Sequence, residues 1–197
     1  VLDFLENCRF TPSDLGYLDT LNLFPKEFIE YLKSFRFTGD VRAMPEGTLF
    51  FADEPVLEIC APLLEAQVVE TFIINALGFS VLGTTKAARC MHAARGRSLI
   101  DFSLRRTQGV DSGLKVARSA YIAGFSGTSN VLAGKLFGIP VSGTMAHSFI
   151  LAFGREEEAF SAYARLFPRN AVFLVDTHDT LQGTRYAIRV AQQMDRE

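Results

Sequence analysis

Ser98-Leu99-Ile100-Asp101-Phe102 is a short apolar run that opens onto Ser103-Leu104-Arg105-Arg106, and it marks a change of period in the chain. From here short apolar runs alternate with segments of helical length. The spacing predicts strands over 98–102, 139–143 and 171–175 and helices over 114–124, 128–137, 156–167 and 180–194. Strands alternating with helices imply a parallel sheet with crossover connections. Polar and ionisable residues collect directly after these strands, as they do in α/β barrels, where the strand ends carry the chemistry. No strand leads into G-x-G-x-x-G or G-x-x-x-x-G-K-S, so the two usual nucleotide fingerprints are missing.

Upstream the pattern is different. Leu2, Phe4 and Leu5 begin an apolar helical face, and Thr11-Pro12-Ser13-Asp14 reads as a capped helix start. Pro25-Lys26-Glu27 opens another helix. Three strands are expected next, at 41–44, 48–51 and 56–59, joined by turns at Pro45-Glu46-Gly47 and Asp53-Glu54-Pro55 as an antiparallel meander. Residues 63–94 have a helical period, with a break expected near Gly78 or Gly83. The fold class is therefore α/β: a small α+β portion over 1–97, then the first part of an α/β barrel over 98–197.

Composition narrows the function classes. Apolar residues make up 48% of the 197 and charged residues 21%, enough to build a core and too apolar for a disordered chain. A net charge of −2 supplies no field that would draw nucleic acid or an anionic membrane. Lys and Arg are outnumbered by Asp and Glu, 9 to 13, over residues 1–98 and outnumber them, 11 to 9, over 99–197, so an anionic ligand favours the second half. Cys8, Cys60 and Cys90 lie far apart with no CxxC pair, which points to free thiols in a reducing, cytoplasmic setting. The apolar stretches are expected to be too short to span a bilayer. The chain starts on Val1 in mid-pattern and stops on Met194-Asp195-Arg196-Glu197, as expected of an internal segment.

Three strand ends carry candidate chemistry. Gly143-Thr144-Met145-Ala146-His147-Ser148 offers close backbone approach, hydroxyl donors and an imidazole, which suits an anion site with a base or a phosphoryl acceptor. A capping role for His147 is the plain alternative. Arg105 and Arg106 can fork phosphate, or form a solvated basic turn. Asp176-Thr177-His178-Asp179 offers a carboxylate for Mg²⁺ or ribose hydroxyls, with Asp179 or Thr177 as the cap of the next helix. Gly124 to Asn130 is a donor-rich turn into a helix. His92 reads as structural, Arg89, Arg95 and Arg97 as complements to a helix dipole, and Glu156-Glu157-Glu158 as a solvated first turn.

Four stretches, in order, resemble nicotinate phosphoribosyltransferase: 101–109, 125–134, 143–149 and 174–180. Met44-Pro45-Glu46-Gly47 and Ala87-Ala88-Arg89 are similar as well. The resemblance implies an enzyme that joins nicotinate to phosphoribosyl pyrophosphate, coupled to ATP hydrolysis through a phosphohistidine, with Mg²⁺ accompanying the pyrophosphate. It implies an α/β-barrel domain after an N-terminal α+β domain, and a homodimer. By the same resemblance His147 is the phosphohistidine, and Phe102, Ser129 and Thr144 contact nicotinate. Arg105, Arg106, Ser148 and Asp176 bind phosphoribosyl pyrophosphate, with Asp176 also the candidate Mg²⁺ ligand. Nicotinamide-using relatives resemble one another in carrying Asp where Ser129 stands, and an Asp would repel a carboxylate substrate. His178 stands where the family usually has Tyr. An aromatic before Val1 and an Arg with an Asp-Ser-Gly-Asp motif after Glu197 would complete the site, so the isolated segment is expected to be inactive. A nicotinamide- or quinolinate-using transferase and a non-catalytic barrel fragment are the alternative readings.

Overall fold

The computed structural model describes residues 1–194. Three helices lead: α1 (Leu2–Asn7), α2 (Pro12–Thr20) and α3 (Lys26–Lys33). The predicted start of α2 is a full capping box. The Asp14 amide donates to Thr11 Oγ1 at 3.2 Å, and the Thr11 amide donates to Asp14 Oδ2 at 2.7 Å. The Thr11 hydroxyl, which donates to Asp14 Oδ2 at 2.7 Å, and with it the Thr11 amide hold the Asp14 carboxyl below its usual range.

Strands β1 (Asp40–Ala43) and β2 (Leu57–Cys60) follow, paired antiparallel with Val41 opposite Ile59. The expected meander is thus a two-stranded hairpin with a long loop. Its middle strand at 48–51 does not form: Leu49 and Phe51 stand 86% and 77% exposed, and the Phe51 amide turns to Glu54 Oε2 instead of a ladder partner.

Helix α4 (Leu63–Ala94) runs unbroken through both glycines, correcting the expected break. A glycine inside a helix costs only about 1 kcal/mol relative to Ala, which packing readily outweighs. At Gly83 a Cβ would stand 3.4 Å from the Ser119 side chain, so this glycine admits a neighbouring helix rather than ending its own. The first half of α4 contributes Val69 and Ile73 to a core with Leu5, Leu32 and Phe35. Buried Glu65 accepts from the Thr38 amide at 2.6 Å and ties α4 to the approach to β1. Cys8 is buried in the same core, and desolvation raises its thiol. By length and composition α4 could cross a bilayer, with a mean hydropathy of 1.4 over its most apolar stretch, which corrects the expectation that no stretch is long enough. Leu63, Ile74 and Leu82 on it are exposed.

The remaining elements are β3 (Ile100–Asp101), a 3-10 turn at Leu104–Arg106, α5 (Val110–Ile122), β4 (Gly127–Thr128), α6 (Val131–Phe137), α7 (His147–Leu151), α8 (Glu156–Leu166) and α9 (Thr180–Met194). β3 pairs parallel with β4, and Thr128 bridges in parallel to Val141. The expected parallel arrangement is present as these three short steps. The predicted strand at 171–175 finds no ladder partner among the described residues and is unpaired backbone. Residues 139–143 contribute the single bridge at Val141. α8 and α9 enclose a second core around Phe160, Ile150, Met145 and Val190. Glu156 is buried there and Glu157 lies 3.4 Å from Arg189, so of the three glutamates only Glu158 is solvated, contrary to the expected open face.

The loop between β1 and β2 is joined to α5 by Glu46 and Arg118, paired through both nitrogens at 2.5 and 2.6 Å. The Arg118 guanidinium lies 5.9 Å from the Phe137 ring as well. The hydrogen bond from Arg118 lowers the Glu46 carboxyl below its ordinary value. A lowered folded value means the pair stabilises the fold above the unfolded range, about 4.3 for Glu, and that this is lost as pH falls through the lower folded value. Both side chains are substantially exposed, 62% and 42%, so the contribution is below about 1 kcal/mol. Denaturant titrations should show wild type above Glu46→Gln near neutral pH, with the gap closing in acid. A gap that widens in acid would refute the linkage.

Candidate active site

In a parallel ladder the residues that follow each strand emerge at the same edge. β3 delivers Phe102, Ser103 and the turn with Arg105 and Arg106; β4 delivers Ser129 and Asn130; the Val141 step delivers Ser142, Gly143 and Thr144. Backbone bonds lock the steps together. The Ser129 amide donates to Asp101 O at 2.8 Å, the Thr128 amide to Pro140 O at 3.0 Å, and the Ser142 amide to Thr128 O at 3.1 Å. Gly127 is required here, because a Cβ would lie 2.6 Å from the Pro140 carbonyl oxygen.

The first strand end is held by a buried carboxylate. Asp101 is 5% exposed; its Oδ1 accepts from the Ser103 amide at 3.0 Å and its Oδ2 from the Thr128 hydroxyl at 2.8 Å. Thr128 Oγ1 in turn accepts from the Asn130 amide at 3.0 Å, and Asn130 caps α6 by accepting from the Ala133 amide at 3.1 Å. So the helix after β4 begins at Val131 with Asn130 as its cap, rather than at Thr128. Phe102 is half exposed beside this network, and Arg105 and Arg106 are exposed. Neither guanidinium pairs with a carboxylate among the described residues.

His147 opens α7, after Ala146 as the cap residue. Met145 is buried and fixes the loop to the second core, while Thr144 donates to Met145 O at 3.1 Å. His147 Nε2 lies 3.2 Å from Asp176 Oδ1, with both side chains more than half exposed. The two residues that spacing alone left on separate strand ends are therefore one pair. Ala146, not His147, stands at the cap position of α7, which has no side-chain cap hydrogen bond. Asp179 does cap: its Oδ1 accepts from the Gln182 amide at 2.7 Å at the start of α9. Ser148 and His178 are exposed. No hydrogen bond or ion pair among the described residues joins Arg105 to His147.

Sequence reading assigned no role to Asp101 or Thr128, whose partnership depends on parallel pairing of segments 27 positions apart. It also missed Gly183, which brings α9 against the Val175 backbone next to Asp176. A glycine inside an otherwise regular helical pattern was the one available signal.

Among the described residues no three His, Cys, Asp or Glu side chains converge as a metal site. The arrangement suits planar and phosphorylated anionic ligands: an exposed aromatic and two guanidinium groups beyond β3, and an imidazole at the start of α7 beside the Asp176 carboxylate.

Comparison with known proteins supplies the family. The N-terminal domain model of nicotinate phosphoribosyltransferase matches residues 1–78, and the model of the nicotinate phosphoribosyltransferase family matches residues 97–185. A nicotinate phosphoribosyltransferase of Mycobacterium tuberculosis is 50% identical over 194 residues, covering 98% of this chain and 42% of that protein. One from Bacillus subtilis is 46% identical over 193 residues, with 98% of this chain and 39% of that protein covered. The crystal structure of human nicotinic acid phosphoribosyltransferase superposes with a TM-score of 0.84 at 30% identity, covering 98% of this chain and 49% of the human one. Nicotinate-nucleotide pyrophosphorylase from Pyrococcus furiosus gives 0.72 at 28% identity, covering 79% of this chain and 40% of that one. The chain thus spans less than half the length of these relatives, and across nearly all of its own length it belongs to the nicotinate phosphoribosyltransferase family.

Proposed function

We propose that the full-length protein joins nicotinate to phosphoribosyl pyrophosphate, forming nicotinate mononucleotide and pyrophosphate with coupled ATP hydrolysis, in cytoplasmic NAD biosynthesis. The observation that carries this reading is the His147–Asp176 pair at 3.2 Å, beyond strand ends that present Phe102, Arg105 and Ser129. Asp176 Oδ1 lies beside Nε2 of His147, so Nδ1, the nitrogen away from the carboxylate, is the phosphoryl acceptor. Phe102 stacks on the pyridine ring, with Ser129 and Thr144 beside its carboxylate. Arg105 and Arg106 bind phosphate oxygens, and Ser148 adds a donor in the first turn of α7.

Transfer needs charge stabilisation on the departing pyrophosphate as its bond to the ribose breaks. The adjacent Arg105 and Arg106 guanidinium groups supply this from the protein. Asp176 Oδ2, which His147 does not engage, suits a Mg²⁺ ion held mainly by pyrophosphate oxygens, since that ion commonly takes one or two protein carboxylates. When bound, Mg²⁺ supplies further neutralisation of the leaving group. We further infer that β3, β4 and the Val141 step are the first strands of an α/β barrel over 98–197, that 1–97 is the N-terminal domain portion, that residues from outside this segment complete the site, and that the enzyme is a homodimer.

The test is a full-length assay with nicotinate and nicotinamide in parallel. Nicotinate should be the preferred substrate, and a nicotinamide preference would refute the reading. Ser129→Asp should lower kcat/KM for nicotinate by about tenfold or more, because a like charge near a bound carboxylate costs on the order of 1.4 kcal/mol even in a half-screened site. Its effect on nicotinamide should be small. Equal losses for both substrates would remove Ser129 from the specificity role.

A further inference from the structure

We propose that Asp101 is a positioning residue that couples the two halves of the ring-binding edge, holding the Phe102–Arg106 turn and the Ser129–Asn130 helix start as one rigid unit. The proposal rests on the substrate reading above for its kinetic consequence, and on geometry alone for the coupling.

A buried carboxylate is costly unless hydrogen bonds satisfy it. Asp101 is satisfied on both oxygens, and each oxygen reaches a different part of the edge. Oδ1 takes the Ser103 amide, the first residue past Phe102 and the start of the turn with the two arginines. Oδ2 takes the Thr128 hydroxyl, whose oxygen receives the Asn130 amide, and Asn130 caps α6. The Asp101 carbonyl takes the Ser129 amide at 2.8 Å. Ser129 is thereby bracketed: its own amide is held by Asp101, and the residues on either side belong to the Asp101 chain of hydrogen bonds. Asp101, Thr128 and Asn130 are 5%, 0% and 4% exposed, so solvent cannot substitute for a lost partner. The side chains of Phe102 and Ser129 are left free to face a ligand while their backbones are held by the same residue. A hydrophobic residue at 101 would fill the strand but could not hold both segments, so the carboxylate serves registration rather than packing.

Two near-isosteric changes separate positioning from simple stability. Thr128→Val removes the hydroxyl that links Oδ2 to Asn130. Asp101→Asn keeps one acceptor and turns an amide group toward one of the two donors. In the full-length protein, peptides covering 100–106 and 127–133 should both exchange amide hydrogen faster in either variant, although each substitution lies in only one of them. Each single variant should raise KM for nicotinate about tenfold, the size of one buried hydrogen bond lost, with kcat changed by less than about threefold. The double variant should be no worse than the poorer single, because both cut the same link. Faster exchange confined to the substituted segment, or an unchanged nicotinate KM with only a lower Tm, overturns the proposal. If the unsubstituted protein does not use nicotinate, the substrate reading fails instead, and the exchange comparison alone decides the coupling.

Discussion

His147→Ala in the full-length protein is expected to abolish labelling of the enzyme by γ-labelled ATP and to remove the stimulation of nicotinate turnover by ATP. Coupling between two sites is typically 1–3 kcal/mol, a factor of about 5–150, and that whole factor should vanish while a slower, ATP-independent transfer remains. The reason is local. Asp176 engages Nε2 at 3.2 Å, so the opposite nitrogen is the one available to a phosphoryl group. Asp176→Ala keeps the nucleophile but removes the carboxylate beside it, and it should slow labelling by about tenfold, a modest loss because the pair is half exposed. The two variants therefore differ in kind: one has no acceptor, the other a poorly oriented one. Label found on another residue of His147→Ala, or undiminished ATP stimulation, would end the assignment.

The parts of this site that sequence made legible are those whose chemistry is local. A glycine, a hydroxyl and an imidazole after an apolar run, or a pair of arginines after another, declare themselves within a few residues. The Thr11 cap and the Asp179 cap were legible for the same reason, since a capping side chain reaches only the next turn. What was not legible depends on distant segments meeting. Asp101 reads as one acid in a strand until Thr128 is known to lie beside it. The run at 48–51 has the composition of a strand, but β1 and β2 pair with each other and leave it without a partner. Residues 171–175 also have strand composition and lack a ladder partner among the described residues. Gly83 reads as a helix breaker until Ser119 is placed against it. In each case the local signal was correct about propensity, and tertiary contact decided the outcome.

Gly183→Ala is expected to damage activity far more than its size suggests. A Cβ at this position of α9 would collide with the Val175 carbonyl oxygen and stand 3.0 Å from the Val175 carbon and 3.1 Å from its Cα. These are backbone atoms, so no rotamer change relieves them. Either α9 lifts or the 171–175 segment shifts, and Asp176 follows directly on that segment. Lifting α9 would withdraw Val190 from the second core, so the unpaired segment is the softer of the two and should move. Overpacking of this kind costs about 1–3 kcal/mol, and a displacement near 1 Å at a reacting group can cost on the order of 100-fold in rate. The expected result is a Tm lowered by several degrees, kcat/KM down by roughly two orders of magnitude, and slowed labelling of His147. Gly78→Ala in α4 is the matched control, because nothing lies within 4 Å of its Cβ position. That change should raise stability by up to about 1 kcal/mol through helix propensity and leave kinetics unchanged. Wild-type labelling and kcat/KM in Gly183→Ala would show that Asp176 tolerates the shift, and that its contact with His147 does not set the rate.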